Sequence, residues 1–219
     1  MNAWKSIRAS ARSRPGEDVG GQVGHPQLDL PHGGPLGLAP VLVQPDHPFT
    51  LTTEQRLADA DESLDRWAEA EALRRDALAR RRKLTQPDSP LLADDLAPLG
   101  RNLLRQSRWS EAEPLLREAL AIRAKAAPDD WPRSDAMSLL GDSLLGQGRL
   151  AEAEPLVVAG YEGMKAREPR IPVPERFRLR EAAERVVHLY EAWNQPDRAA
   201  AWKAKLGMPD LPADVFALP

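Results

Sequence analysis

The sequence contains no cysteine at all. That excludes disulfides, a thiolate nucleophile and Cys-ligated zinc, and it leaves the redox compartment unspecified. Histidine is scarce, at 4 residues. His25, His32, His47 and His188 are scattered, with no H-E-x-x-H or other ligand spacing. No apolar run approaches the length of a membrane span, and no secretory core follows the basic start. Neither charge sign dominates: the net charge is −3 over 219 residues, which gives no large pull toward nucleic acid or an anionic membrane. Aromatic residues make up only 5%. Trp67 and Trp109 follow the internal repeat described next, with Leu150 in their place in a third copy, as packing positions do.

What the chain does have is repetition. The stretch L-G-R-N-L-L-R-Q-S-R-W-S-E-A-E-P-L from Leu99 recurs from Leu140 as L-G-D-S-L-L-G-Q-G-R-L-A-E-A-E-P-L. The spacing is 41 residues, Gly100 to Gly141. Arg66 to Leu73 repeats Arg108 to Leu115 at a spacing of 42. A fixed period of this size is the signature of stacked supersecondary units. In the clearest copy, Leu96, Leu99, Leu103 and Leu104 form an apolar stripe at helical spacing, and Ala112, Leu115, Leu116, Ala119 and Leu120 form a second. Gln106 to Arg108 breaks the pattern as a turn. Ser110 is the expected cap of the second helix, followed by acids suited to its first turn. A mid-helix glycine costs about 1 kcal/mol relative to Ala, so Gly100 implies close approach of a second helix. Each unit is therefore an antiparallel helical hairpin with one apolar face left to bury on a neighbour.

Four such hairpins are expected, over residues 52–83, 92–125, 134–167 and 176–206. Thr52-Thr53-Glu54-Gln55 reads as a capping box opening the first. Asp61 and Glu62 stand where the other copies carry Leu, which suits the polar outer face of a terminal repeat. Gly160 and Gly163 are expected to weaken the end of the third hairpin. Ile171-Pro172-Val173-Pro174 reads as an extended linker. Asn194 to Asp197 reads as a turn one residue longer than its counterparts, and Gly207 as a helix stop. Most prolines are expected to punctuate linkers rather than interrupt helices. Arg80 to Lys83 reads as a cationic helix C-terminus rather than a nucleic-acid patch, because no aromatic or second basic stripe accompanies it.

Residues 1–44 are expected to be a disordered Gly/Pro-rich region. Their basic beginning reads either as a disordered start or as an amphipathic transit segment. Residues 207–219 read as a Pro-punctuated tail whose Leu211, Val215 and Phe216 are expected to fold back onto the last hairpin.

The pattern resembles the tetratricopeptide repeat. The longer period and the linkers Pro45-Asp46-His47-Pro48 and Pro87-Asp88-Ser89-Pro90 resemble the kinesin-light-chain-like variety. The resemblance covers residues 45–206 and implies an all-α solenoid of antiparallel hairpins. It implies a non-catalytic scaffold or adaptor that holds a peptide or partner helix on a concave face, with no cofactor, no metal, no nucleic acid and no membrane. Its groove-facing positions fall on Gln55, Asp59, Arg101, Arg105, Asp142, Leu145, Tyr190 and Glu191. The asparagine-and-basic set by which some relatives clamp a C-terminal carboxylate is not reproduced. Arg101 and Arg105, one turn apart, suit an acidic partner residue. Similar arrays end many bacterial serine/threonine kinases, so a regulatory remnant of such a kinase is an alternative; self-association through edge hairpins is another. A cytoplasmic location is the expectation. No G-x-S-x-G or kinase signature points to catalysis.

Overall fold

The computed structural model describes residues 46–208. The expected disordered region, the transit-segment reading and the tail beyond residue 208 lie outside the described residues. The described residues belong to one compact unit.

Eight α-helices form four hairpins: α1 Pro48–Ser63 with α2 Trp67–Leu84, α3 Pro90–Arg105 with α4 Trp109–Ala126, α5 Trp131–Gly146 with α6 Leu150–Ala166, and α7 Phe177–Ala192 with α8 Pro196–Leu206. There is no strand among the described residues. Each helix packs on its hairpin partner, α2, α4 and α6 also pack on the first helix of the next hairpin, and α5 touches both α3 and α7. The architecture is the all-α solenoid expected from the repeat.

In the first three hairpins the first helix starts earlier than the sequence suggests, at Pro48, Pro90 and Trp131. His47 Nδ1 accepts from the Phe49 N–H at 3.1 Å, and Asp130 accepts from the Trp131 N–H at 2.9 Å. In the first and third hairpins the linker motif thus caps the first helix rather than standing before it as a spacer, whereas Ser89 precedes α3 without a side-chain cap bond. Pro90 occupies the first position of α3, where a missing N–H is harmless. Ser110 is not a cap: α4 begins at Trp109, and Arg108 precedes it without a side-chain cap bond. Pro98, Pro114 and Pro155 lie inside helices. An interior proline costs about 3 kcal/mol, and here the packing of each helix on two neighbours overrides it. Of the expected extended linker, Ile171 and Pro172 are extended, at ψ 120° and 145°, while Val173 and Pro174 enter a 3-10 turn, Val173–Glu175, and another, Glu168–Arg170, precedes them; Ile171 is folded into the core at 2% exposure.

All four hairpins close in one way. Asp65, Ser107, Gly148 and Asn194 adopt positive φ, at 58°, 59°, 75° and 55°. The next residue's N–H returns to the helix: Arg66 to Asp61 O, Arg108 to Leu103 O, Arg149 to Leu144 O and Gln195 to Tyr190 O, each at 2.9 Å. This is the Schellman closure. The fourth turn therefore has the length of the others, contrary to expectation, because Asn194 adopts the left-handed conformation. Gly207 ends α8 with φ 65°.

Glycines set the helix spacing. A Cβ on Gly100 would lie 2.6 Å from Leu116 Cδ2, and one on Gly141 2.9 Å from the Val157 backbone nitrogen. A Cβ on Gly160 would lie 2.6 Å from the Ser138 backbone nitrogen. Gly160 thus lets α6 lie directly on α5, and the expectation that it weakens the third hairpin is overturned. The outer-face reading of hairpin one is also overturned. Asp61 is 6% exposed and paired with Arg66. Glu62 accepts from Arg74 at 2.8 Å and from Asn102 of the next hairpin at 2.9 Å.

Candidate interaction surface

The repeated Gln, Arg and Glu have a use that helix-end electrostatics do not explain. The second acid of each E-A-E accepts from the turn of the following hairpin. Glu71 accepts from Gln106 at 2.9 Å and Arg108 at 2.5 Å. Glu113 accepts from Gln147 at 2.9 Å and from Arg149 at 2.9 and 3.0 Å. Gln147, Arg117 and Arg149 overcome the effect of burial and hold the Glu113 carboxyl at about 2, from an ordinary 4.5. At the last junction Glu154 accepts instead from the Tyr190 hydroxyl at 2.9 Å and pairs with Arg198 at 2.8 Å. The acids and bases of the motif are buckles between hairpins. Arg81 and Arg82 are used in the same way, pairing with Asp95 and Glu118 of the next hairpin, while Arg80 pairs with Glu54 within its own hairpin.

The first-helix side carries a denser network. Ten residues separate α6 from α7, against five and four at the earlier junctions, and α7 reaches back past α5 to α3. Arg101, 9% exposed, donates to both Asp135 oxygens at 3.1 and 3.0 Å and to Glu181 of α7 at 3.2 Å. Its guanidinium lies 5.5 Å from the centre of the Phe177 ring, a cation–π distance. Arg105 pairs with the other Glu181 oxygen. Arg178 reaches Asp135 at 3.1 Å, and Arg185 reaches Asp142 at 3.0 Å and Glu181 at 3.2 Å. Burial alone would raise the Asp135 carboxyl, but Arg101, Arg178 and Arg185 outweigh it and hold it below its usual value. The Arg101 pKa moves down, because burial outweighs Asp135.

Two cavities flank the Arg105–Glu181 bridge. One, of about 470 Å³, is walled by Asp59, Glu62 and Trp67 of the first hairpin, by Arg101 and Arg105, and by Phe177, Arg178 and Glu181. The other, of about 340 Å³, shares Arg101, Arg105 and Glu181 and adds Asp142, Arg185 and His188. The first offers aromatic walls with a cation at the rim, which suits one side chain of an extended ligand. The second is polar.

Of the residues expected in the groove, Arg101, Arg105, Asp59 and Asp142 come together around these cavities. Gln55 lines neither; it donates to Asp95 at the first junction. Leu145 and Tyr190 are 6% and 2% exposed and belong to the core between the third and fourth hairpins, so they do not join the surface. The reason is that α5 and α7 are packed from both sides, leaving the positions adjacent to their buried stripes covered as well. Glu191 is exposed and paired with Lys203 at 3.0 Å, away from both cavities. Sequence reasoning missed Trp67, Phe177, Arg178, Glu181 and Arg185 as surface residues. The long α6–α7 linker was the signal that α7 departs from regular stacking.

Among the described residues no three His, Cys, Asp or Glu side chains are placed to hold a metal ion. No described helix is long and apolar enough to cross a membrane.

Stacked hairpins of this geometry define a helical-repeat solenoid. Residues 49–125 match the family described as tetratricopeptide repeat. No curated protein matches the sequence. Among solved structures, the array is similar to a Podosopora anserina protein described as a kinesin light chain with nearly identical TPR-like repeats. Identity there is 21%, covering 76% of this chain and 81% of that one, with a TM-score of 0.55. A second structure of that protein gives 22%, 75%, 80% and 0.53. BtubC (BKLC) from P. vanneervenii gives 14%, 78%, 70% and 0.57. Over residues 49–125 the chain is thus similar to tetratricopeptide repeats, and its array has the fold of these TPR-like repeat structures. Repeats of this kind serve in general as protein–protein interaction modules, and the families that carry them are generally non-catalytic.

Proposed function

We propose that this chain is a non-catalytic adaptor that binds an extended peptide or partner helix along its first-helix side, across the cavity between Trp67 and Phe177. The observation that carries this reading is Arg105. It sits at the rim of both cavities, its side chain is 52% exposed, and its one anionic partner among the described residues is Glu181. An exposed ion pair contributes only about 0–1 kcal/mol, so an acidic residue of a ligand competes for Arg105 at little cost. An apolar neighbour of that acid would enter between the aromatic walls. The kinase-remnant reading rests on resemblance alone; it calls for a serine/threonine kinase among the partners.

The test is selection of peptides from a random display library on the full chain, repeated on Arg105→Glu. Peptides with an acid beside an apolar residue should be recovered with the natural chain and lost with the variant. Recovery of the same peptides by both would place the binding surface elsewhere.

A further inference from the structure

The leading face of the array is open. Thr53, Arg56, Leu57, Ala60 and Leu64 share one side of α1 and are all exposed, Leu57 at 51% and Leu64 at 64%. The positions equivalent to Leu57 in the later first helices are Leu99, Leu140 and Val186, at 1%, 2% and 0% exposure. Those equivalent to Ala60 are Asn102, Ser143 and Leu189, each at 0%. In every later hairpin the preceding hairpin covers this stripe. In the first, nothing among the described residues does. A contiguous exposed apolar strip of this kind marks a contact surface.

We propose that a second copy of this chain covers it, by two-fold antiparallel pairing of α1 with α1. The strip is self-complementary about the point between Ala60 and Asp61. In that register Leu57 meets Leu64 of the other copy, and Arg56 meets Asp65. Arg56 and Asp65 are both exposed, opposite in charge, and about 13 Å apart along the helix. Neither side chain has an ion pair or hydrogen bond among the described residues. A two-fold interface uses one patch twice and so needs this self-complementarity.

Head-to-tail stacking in the manner of the internal junctions fits less well, because the acceptor acid of the buckle is missing and of its two donors only Arg66 remains, paired with Asp61. Leu64 stands where Gln106 and Gln147 donate, and Ala200 of α8 stands where Glu113 and Glu154 accept. The two-fold pairing needs neither.

Light scattering on the full chain across a concentration series tests the proposal. The mass should rise from 24.2 kDa toward twice that value. Leu57→Glu with Leu64→Glu should abolish the rise without lowering the melting temperature of the monomer. Arg56→Glu should weaken association about tenfold, and Asp65→Asn added to it should restore most of the loss, since only facing residues relieve each other. Asn also keeps the left-handed turn. A chain that stays monomeric throughout overturns the proposal, as does a dimer indifferent to Leu57→Glu. A monomer whose melting falls on Leu57→Glu would show that the chain's own residues cover the strip, which overturns it too.

Discussion

Glu113 of α4 holds Arg149, the last residue of the α5–α6 turn, through both carboxylate oxygens at 2.9 and 3.0 Å. Gln147 shares the same carboxylate. The contact joins neighbouring hairpins at the polar edge, beside the leucines that join them in the core. Its consequence is a pH dependence. The folded chain holds Glu113 at about 2, against an ordinary 4.5. A carboxyl whose folded pKa is depressed adds stability that is full above its unfolded value and is lost as pH falls through the folded one. Part of the array's stability should therefore disappear between about pH 4.5 and 2, by about 1–3 kcal/mol at this partly shielded site. Glu113→Gln should remove that component. Urea melts of both chains at pH 7 and at low pH check it: the difference between them should shrink at low pH, and a constant difference would refute the assignment.

The glycines should rank by what their Cβ meets. At Gly160 the obstruction is the α5 backbone at Ser138, which cannot step aside. At Gly100 it is the tip of the Leu116 side chain, which can rotate within its buried site. At Gly148 nothing lies within 4 Å and only the positive φ of 75° resists. Gly160→Ala should destabilise by about 2–3 kcal/mol or more, Gly100→Ala by about 1–3, and Gly148→Ala by about 1. Chemical denaturation midpoints give the order directly, and a Gly160→Ala protein as stable as the natural chain would contradict the close packing of α6 on α5.

How much of this was legible in the sequence follows from what repeats. Leucines and glycines recurring at 41–42 residues announce helices that pack on their successors, because burial makes the same demand in every copy. Gln147, Arg149 and Glu113 also recur, and their recurrence was visible. Their pairing was not, because helix-end acids account for the same letters. Leu145 and Tyr190 stand among the groove positions that the resemblance implies, and that carry-over leaves one side of each first helix open. Helices α5 and α7 bury more than one. The Arg101–Glu181 contact joins residues in the second and fourth hairpins, and no local pattern encodes a contact that skips a repeat.

Leu103 and Leu144 occupy equivalent sites and are 0% and 1% exposed. Leu103→Asp or Leu144→Asp would place a carboxylate in each core cluster with no cation built to meet it. The lost burial contributes about 1.5–3 kcal/mol, and the stranded charge adds more. The sum approaches the whole stability of a domain this size, so either variant should lose its cooperative helical melt by circular dichroism. Retention of that melt would mean that these leucines do not pack where the structure puts them.

Arg101 and Arg105 stand one turn apart, yet they should behave oppositely when truncated. Arg101 is buried and shares Asp135 with Arg178, so Arg101→Ala leaves a buried carboxylate short of a partner and should cost about 3–5 kcal/mol. Arg105→Ala removes one half-exposed pair and should cost about 1 kcal/mol or less. A double charge reversal at both positions would therefore confound folding with binding, and Arg105 alone is the residue with which to probe the groove. Thermal melts of the two single variants decide the matter. If Arg105→Ala melts like the natural chain while Arg101→Ala falls well below it, Arg101 holds the second and fourth hairpins together and Arg105 is free to meet a ligand. If both fall together, Glu181 is the structural keystone of the pair, and a ligand's acid could reach Arg105 only by loosening the fourth hairpin.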